Sequence, residues 1–179
     1  MTYLEEYQQL IKSREIVVGY WIRKEVQNLI DDMNSGLYDY NTKEAHKRID
    51  FEQKLCLQSK APYYMKPISL MPWQKAFFEA LYSFKMPDGR RRFTEALLEV
   101  ARKNGKSTCF AADAMYDLFV GEGGADICCA SNDDKQAKLI WSEIAGMRER
   151  LDAKNTITKK TLVELKKRGY ELAIFTNKP

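Results

Sequence analysis

The stretch LLEVARKNGKST (residues 97–108) decides how the rest of the chain is interpreted. Its apolar start predicts a short strand, its middle is a polar turn containing Gly105, and Lys106-Ser107 opens a predicted helix that continues through Phe119. A strand, a turn and a helix in that order direct backbone N–H groups and the positive end of the helix dipole to one point. The stretch therefore predicts a site for the phosphates of a nucleotide.

Three residues of this stretch match the roles that a P-loop requires. In a P-loop the lysine reaches the β- and γ-phosphates and the following Ser or Thr ligates Mg²⁺, which assigns those roles to Lys106 and Ser107. Gly105 stands where a Cβ would keep the backbone away from a phosphate. Val100 occupies the position at which the standard pattern has its first glycine. An ordinary strand–turn–helix with a surface lysine is the alternative interpretation.

Composition indicates a folded globular chain. Hydrophobic residues make up 45% of the 179 residues and charged residues 30%, which is typical of one domain or of one domain and part of another. No apolar run approaches the roughly 20 residues that span a bilayer, and the acidic, polar N-terminus does not resemble a signal peptide. Four cysteines without a CxxC pattern predict reduced thiols rather than disulfides or a zinc site.

Positive charge is concentrated near the end of the sequence. Residues 147–179 contain nine Lys or Arg against four Asp or Glu, whereas the whole chain carries a net charge of +4. A nucleic-acid-binding face is one interpretation of this excess. A solvated surface is the other, because blocks of like charge are often only tails.

The order of predicted elements indicates an α/β fold. We expect a helical N-terminal region over residues 1–69, followed over residues 70–179 by an incomplete P-loop NTPase-type core with a parallel sheet. Strands at 97–100 and 125–130, each followed by a helix (106–119 and 135–151), predict right-handed crossovers. Residues 162–175 predict a two-stranded hairpin.

Several further helices are predicted from the spacing of apolar residues. Residues 3–13 form one, and a second ends near Gly36, a typical C-cap residue. Asn41 and Glu44 resemble the start of a third, and Pro72 suits the first turn of a fourth. We expect these helices and 135–151 to bury Ile22, Val26, Leu29, Ile30, Met33, Ala45, Ile49, Phe51, Leu55, Phe77, Leu81, Ala137, Ile140, Trp141, Ile144 and Met147. His46, without an acidic or Cys partner at metal-binding spacing, is interpreted as a surface residue.

Gln74 is a candidate for recognising a base. It follows Trp73 at the start of the fourth helix, 32 residues before Lys106. A primary amide offers one donor and one acceptor, which matches the N6 and N7 atoms of adenine, and the Trp73 ring would pack nearby. A helix that simply packs in the core is the alternative interpretation.

Taken together, these motifs resemble the N-terminal part of the large terminase subunit of tailed bacteriophages, the ATPase that packages viral DNA. The resemblance rests on LMPWQK (residues 70–75), RRF (91–93), ARKNGKST (101–108) and ASNDDKQA (130–137), which occur in the family's order. It covers nearly the whole chain. The P-loop of that family also commonly lacks the first glycine, which accounts for Val100.

The resemblance implies a function, cofactors and partners. The protein would couple ATP hydrolysis, with Mg²⁺, to the movement of double-stranded DNA into a preformed capsid in the bacterial cytoplasm. It would work with a small terminase subunit and a portal protein, and would associate with itself in a ring. The implied nucleotide site comprises Trp73, Gln74, Ala101, Arg102, Lys103, Asn104, Gly105, Lys106, Ser107 and Thr108. Lys106 and Arg102 would be catalytic, Arg102 as a phosphate-sensing or finger-like residue, and Ser107 would ligate Mg²⁺.

One expected feature of such an ATPase is missing from the sequence. After Ser107, no run of four apolar residues ends in the Asp-Glu pair that would complete the Mg²⁺ shell and polarise the attacking water; the nearest run, residues 172–175, ends in Thr-Asn. We therefore expect a fragment of a longer protein, without the family's nuclease domain and with little or no activity alone. Another P-loop DNA translocase or helicase, and a non-enzymatic remnant, are the alternatives.

Overall fold

The computed structural model describes residues 1–121, 127–131 and 133–151. This part of the chain contains a two-stranded sheet and six helices, none of which is long and apolar enough to cross a membrane. The elements are α1 (Tyr3–Lys12), α2 (Tyr20–Asn34), β1 (Asp39–Tyr40), α3 (Lys43–Leu55), α4 (Pro72–Ser83), β2 (Phe84–Lys85), α5 (Lys106–Phe119) and α6 (Asp134–Leu151).

The predicted helices form, and the predicted end signal at Gly36 is present. Thr2 and Glu5 make a reciprocal capping box at the start of α1. Gly36, just after α2, has the left-handed backbone (φ +73°) of a helix C-terminus. At α3 the Asn41 side chain accepts the backbone N–H of Lys43 at 3.0 Å, although the N-cap residue itself is Thr42.

Helix α4 lies at the centre of the described structure because it contributes to two apolar clusters. Its Ala76 and Ala80 pack with Leu4 of α1 and Ile30 of α2. Its other side packs against α3 and α5, in a cluster that α6 also joins. The second cluster includes Ala45, Ile49, Phe78, Tyr82, Met115, Ile144 and Met147. The helix therefore connects the N-terminal helices to the helix that follows the P-loop.

A buried carboxylate fixes α1 against α4. Glu79 has no exposed surface and accepts the backbone N–H groups of Tyr3 (3.0 Å) and Leu4 (2.9 Å) and the hydroxyl of Tyr40 (2.8 Å). The Nε2 atom of His46 lies 2.6 Å from the same carboxylate. His46 is partly exposed, as expected of a surface residue, but its acidic partner is distant in sequence and was not predicted.

Three residues that we expected to be buried lie at the surface. Trp141 of α6 is 59% exposed, Ile22 in the first turn of α2 is 50% exposed, and Leu55 at the end of α3 is 46% exposed. Helix α6 contacts its neighbours through Ile140, Ile144 and Met147, a narrow stripe, and Trp141 lies about 100° around the helix from Ile140. Leu55 is the last residue of its helix.

The expected parallel sheet is not formed by the described residues. Residues 97–100 and 127–130 contain no strand, and the only sheet in the described ranges is the antiparallel pair β1–β2, with Asp39 opposite Lys85 and Tyr40 opposite Phe84. An apolar run becomes a strand only when its backbone groups pair with a neighbour. Neither run has such a neighbour among the described residues. Residues 125–126 and the predicted hairpin 162–175 lie outside them.

A charged turn follows β2. Gly89 adopts φ +83° and its N–H bonds to the carbonyl of Met86 at 2.8 Å, while the Met86 N–H bonds back to Arg90. The chain then returns along β2, where the N–H of Arg92 donates to Phe84. The turn thus leads the chain back beside α4 and toward residue 97.

Candidate functional site: the loop before helix α5

The loop before α5 has the backbone of an anion site. Helix α5 begins at Lys106, after Gly105 in the left-handed conformation (φ +73°). No side chain of the described residues caps the helix, and no acidic residue lies in its first turn. The N–H groups at a helix start have no partner within the helix, so this end is available to a negatively charged ligand.

The same loop contains two left-handed backbone conformations. Besides Gly105, Lys103 adopts a left-handed conformation (φ +69°), which is uncommon for a residue with a Cβ. A Cβ added to Gly105 would lie 3.4 Å from Nε2 of Gln74. The side chain of Asn104 bonds back to the carbonyl of Ala101 at 3.1 Å and closes the turn.

Most of the predicted phosphate-binding residues are accessible. Residues 101–107 are exposed and Thr108 is half-buried. Within the described part of the chain, Arg102, Lys103 and Lys106 form no ion pair. Their positive charges are therefore available to an anionic ligand.

Gln74 contacts this loop directly, but its amide is already bonded within the protein. The side chain is buried; its oxygen accepts the N–H of Met71 at 2.8 Å, and its nitrogen lies 3.3 Å from the carbonyl of Asn104 and 2.9 Å from Sγ of Cys109. The amide thus joins the start of α4 to both the loop and the first turn of α5. An adenine would have to compete with these bonds.

Trp73 faces a different surface beside the loop. It lines an apolar groove of about 1060 Å³ between the N-terminal helices, α4 and residues 93–101. Ala101 and Asn104 of the loop border the same groove, and Leu97 beside them is 89% exposed. Trp73 and Gln74 therefore lie on adjacent sides of the loop rather than in one cluster.

The RRF segment lies away from the phosphate site and is structural here. Arg92 forms an ion pair with Asp32 of α2 at 2.7 Å, and its guanidinium lies 4.0 Å from the ring centre of Tyr38. Phe93 packs edge-on against Phe84. The segment therefore holds the chain onto α2 and β2 before it reaches the loop.

A buried polar cluster behind α5 was not predicted from the sequence. Arg48 of α3 donates to Asp113 at 3.0 Å and forms a short hydrogen bond to Asp117, both on α5. The hydroxyl of Tyr82 on α4 donates to the other oxygen of Asp113 at 2.6 Å. Burial raises the pKa of Asp113, although its bonds to Tyr82 and Arg48 oppose that shift. No signal in the sequence pairs residues that are 65 and 69 positions apart.

Glu52 is buried next to this cluster and carries no charge at neutral pH. It has no exposed surface, and neither carboxyl oxygen has a hydrogen-bond partner among the described residues. Burial, together with the negative charge of Asp113, raises the pKa of Glu52 to about 9. The protonated form is favoured because an unpaired buried carboxylate is costly.

A Mg²⁺ ion fits this loop only as part of a nucleotide complex. The described residues contain no group of three or more His, Cys, Asp or Glu that could hold a metal ion. The exposed hydroxyl of Ser107, on the first turn of α5, offers one oxygen ligand. The phosphates and water would supply the others, as is common for Mg²⁺.

Comparisons with known proteins show which family the chain belongs to. A family model described as "Terminase large subunit, ATPase domain" matches residues 72–177, more than half of the chain. Two curated proteins named terminase large subunit, from Lactococcus phage SK1 and Lactococcus phage p2, are each 23% identical over 181 aligned residues. Each alignment covers 98% of this chain and 33% of the relative. No solved structure matches.

The chain belongs to the family of terminase large-subunit ATPase domains. It spans about a third of the length of the curated relatives that it matches. The resemblance inferred from LMPWQK and ARKNGKST is therefore confirmed at the level of the family.

Proposed function

We propose that this chain is the ATP-binding N-terminal part of a viral DNA-packaging motor. The observation that carries the proposal is the start of α5, which no described side chain caps and where Gly105, Lys106 and Ser107 are exposed, in a chain of this family. ATP with Mg²⁺ is the proposed ligand. In the complete protein, its hydrolysis would drive double-stranded DNA into the procapsid.

Each residue of the loop has a proposed task. The N–H groups at the start of α5 and the ammonium of Lys106 would hold the phosphates, and Gly105 would let the backbone approach them. The hydroxyl of Ser107 would ligate Mg²⁺, which neutralises phosphate charge when bound. Arg102, exposed in the same loop, would contact the terminal phosphate and stabilise charge in the transition state.

Calorimetric titration of ATP and ADP, with Mg²⁺, into the protein and into Lys106→Ala tests this proposal. We expect binding heat for the wild type and none for Lys106→Ala. Lys47→Ala is a matched control, because Lys47 is also exposed and lies on α3, away from the loop. Equal binding by the wild type and Lys106→Ala would contradict the nucleotide site.

We further propose that Gln74 and Trp73 contact adenine. Because the Gln74 amide also bonds to Asn104 and Cys109, Gln74→Ala would loosen the loop as well as remove a base contact. A loosened loop would weaken the binding of ATP and of GTP equally. A lost base contact would instead lower the preference for ATP over GTP, because a mismatched amide contact is worth about 1–3 kcal/mol. An unchanged ratio of the two Kd values would leave Gln74 with a structural role only.

The wider assembly is also part of the proposal. Residues 1–69 would form a helical region and residues 70–179 part of the P-loop domain. The partners would be double-stranded DNA, a small terminase subunit, a portal protein and further copies of the chain in a ring, within the bacterial cytoplasm. The basic excess over residues 147–179 would favour contact with DNA, although all but 147–151 of it lies outside the described residues. Salt-dependent retention of the protein on double-stranded DNA tests that contact.

A further inference from the structure

Helix α5 carries the phosphate-binding loop at one end and an acidic face in its middle. Asp113 and Asp117 are four residues apart, so their carboxylates lie on the same side of the helix, toward α3. Asp113 is seven residues beyond Lys106, which places it about 10 Å along the helix from the loop. A contact that holds these two carboxylates therefore also fixes the orientation of the loop.

Arg48 holds both carboxylates with one guanidinium. Its Nη1 atom bonds to Asp113 and its Nη2 atom to Asp117, so the two ends of the planar group are attached one turn apart on α5. The Tyr82 hydroxyl completes the attachment by donating to Asp113. A planar, two-pronged contact of this kind restricts both the rotation of a helix and its sliding along its axis.

The surroundings of Arg48 allow it little freedom. Its guanidinium carbon lies 3.9 Å from the ring centre of Tyr82 and 4.5 Å from that of Tyr116. The residue is buried, and Glu44, one turn earlier on α3, lies 3.5 Å from its Nε atom. Arg48 is therefore packed against aromatic rings and ion-paired to Glu44 in addition to its bonds to α5.

We propose that Arg48 is a positioning residue for the nucleotide site: by bridging Asp113 and Asp117 it fixes the orientation of α5, and through α5 it makes nucleotide affinity depend on the N-terminal helical region. This inference rests on the proposed function, because it concerns the same phosphate site. Arg48 does not touch the nucleotide. Its contribution is to hold the first-turn N–H groups and Lys106 in the geometry that binds phosphate.

The decisive variant is Arg48→Lys, which keeps the positive charge but cannot bond to two carboxylates with a planar group. We expect it to weaken ADP binding by roughly tenfold, as measured with a fluorescent ADP analogue on protein that is folded at the assay temperature. Lys54→Met is the matched control, because Lys54 lies on the same helix and its ion pair with Asp50 is exposed. The control should bind ADP like the wild type.

A purely structural role for Arg48 gives a different result. Arg48→Lys would then lower the urea midpoint while the folded protein kept the wild-type Kd, and that outcome would overturn the inference. If Arg48→Lys does not fold, Asp117→Asn provides the test. Asp117 is at the edge of the cluster, so this substitution leaves the contact between Arg48 and Asp113 intact. Its Kd should rise several-fold, and an unchanged Kd would count against the inference.

Hydrogen exchange separates this inference from the proposed function. Loss of the Arg48 bridge should speed amide exchange along α5 in nucleotide-free protein, whether or not the loop binds ATP. If Lys106→Ala and the wild type bind nucleotide equally while Arg48→Lys still speeds exchange in α5, the proposed function fails and the positioning contact stands. If exchange in α5 is unchanged, the positioning contact itself is refuted.

Discussion

At the scale of single residues, the loop before α5 contains two left-handed backbone conformations with opposite consequences for mutation. Gly105 tolerates its positive φ, so Gly105→Ala should lower the free energy of unfolding by about 1–2 kcal/mol. Lys103 does not tolerate it well, so Lys103→Asn should raise the free energy of unfolding by up to about 1 kcal/mol, since Asn is among the residues that adopt this conformation most readily. Urea unfolding of the two variants measures both effects, and shifts of the same sign would contradict the explanation.

Glu52 should make stability depend on pH. Its folded-state pKa of about 9 lies above the ordinary value of 4.5, so between these pH values the folded state keeps a proton that the unfolded chain has lost. The free energy of unfolding should therefore fall as pH rises through this window, by up to about 1.4 kcal/mol per pH unit, and the effect should be complete above pH 9.

The variant Glu52→Gln isolates this effect. It keeps the shape of the side chain and should be less sensitive to pH than the wild type in urea unfolding between pH 6 and pH 8.5. Asp113, Cys56, Cys109 and Arg48 surround Glu52 and remain in both proteins, so the difference between the two proteins reports mainly on Glu52. Parallel pH dependences for the two proteins would show that Glu52 is already ionised when folded.

The turn before α5 could be predicted from the sequence, whereas the residues that pack behind α5 could not. The turn is formed by residues that are adjacent in the chain, Gly105, Lys106 and Ser107, so their spacing indicates it directly. Arg48 and Glu52 lie on the inner face of α3, and the sequence does not indicate which residues surround a charged side chain there. Their environment depends on how α3 packs on α5, which helical periodicity does not reveal.

At the scale of elements, the attachment of α1 depends on one carboxylate. Glu79→Gln keeps the size of the side chain but removes the charge that accepts two N–H groups of α1, the Tyr40 hydroxyl and His46. Because the site is fully buried, we expect a loss of about 2–4 kcal/mol of unfolding free energy. Glu6→Gln, an exposed change in the first turn of α1, is the control and should cost a few tenths of a kcal/mol. Urea unfolding compares the two, and equal small losses would contradict this role for Glu79.

Helices were predicted more successfully than strands for a physical reason. A helix satisfies its backbone hydrogen bonds within one segment, so apolar spacing and end signals such as Pro72 and Gly36 suffice to locate it. A strand depends on a partner elsewhere in the chain, and the apolar runs 97–100 and 127–130 have none among the described residues. The short pair β1–β2 escaped prediction because two residues are too few to show an alternating pattern.

At the scale of the whole molecule, we expect binding of ATP without motor-like turnover by this 179-residue chain. The sequence after Ser107 lacks the apolar run ending in Asp-Glu, and loss of a catalytic base alone typically slows a reaction by 10²–10⁴-fold. Steady-state phosphate release with Mg²⁺ measures the rate, with Lys106→Ala as the background. Turnover of about 1 s⁻¹ or more that Lys106→Ala abolishes would show that acidic residues such as Asp126 or Asp133 complete the site.

The positions of the three tryptophans allow the loop to be monitored by the protein's intrinsic fluorescence. Trp21 and Trp141 are largely exposed, whereas Trp73 is half-buried in the groove that Ala101 and Asn104 border. A soluble quencher such as iodide should therefore suppress the emission of the first two indoles more strongly than that of Trp73. The emission that survives comes mainly from beside the loop, so nucleotide binding could be followed there without any attached dye.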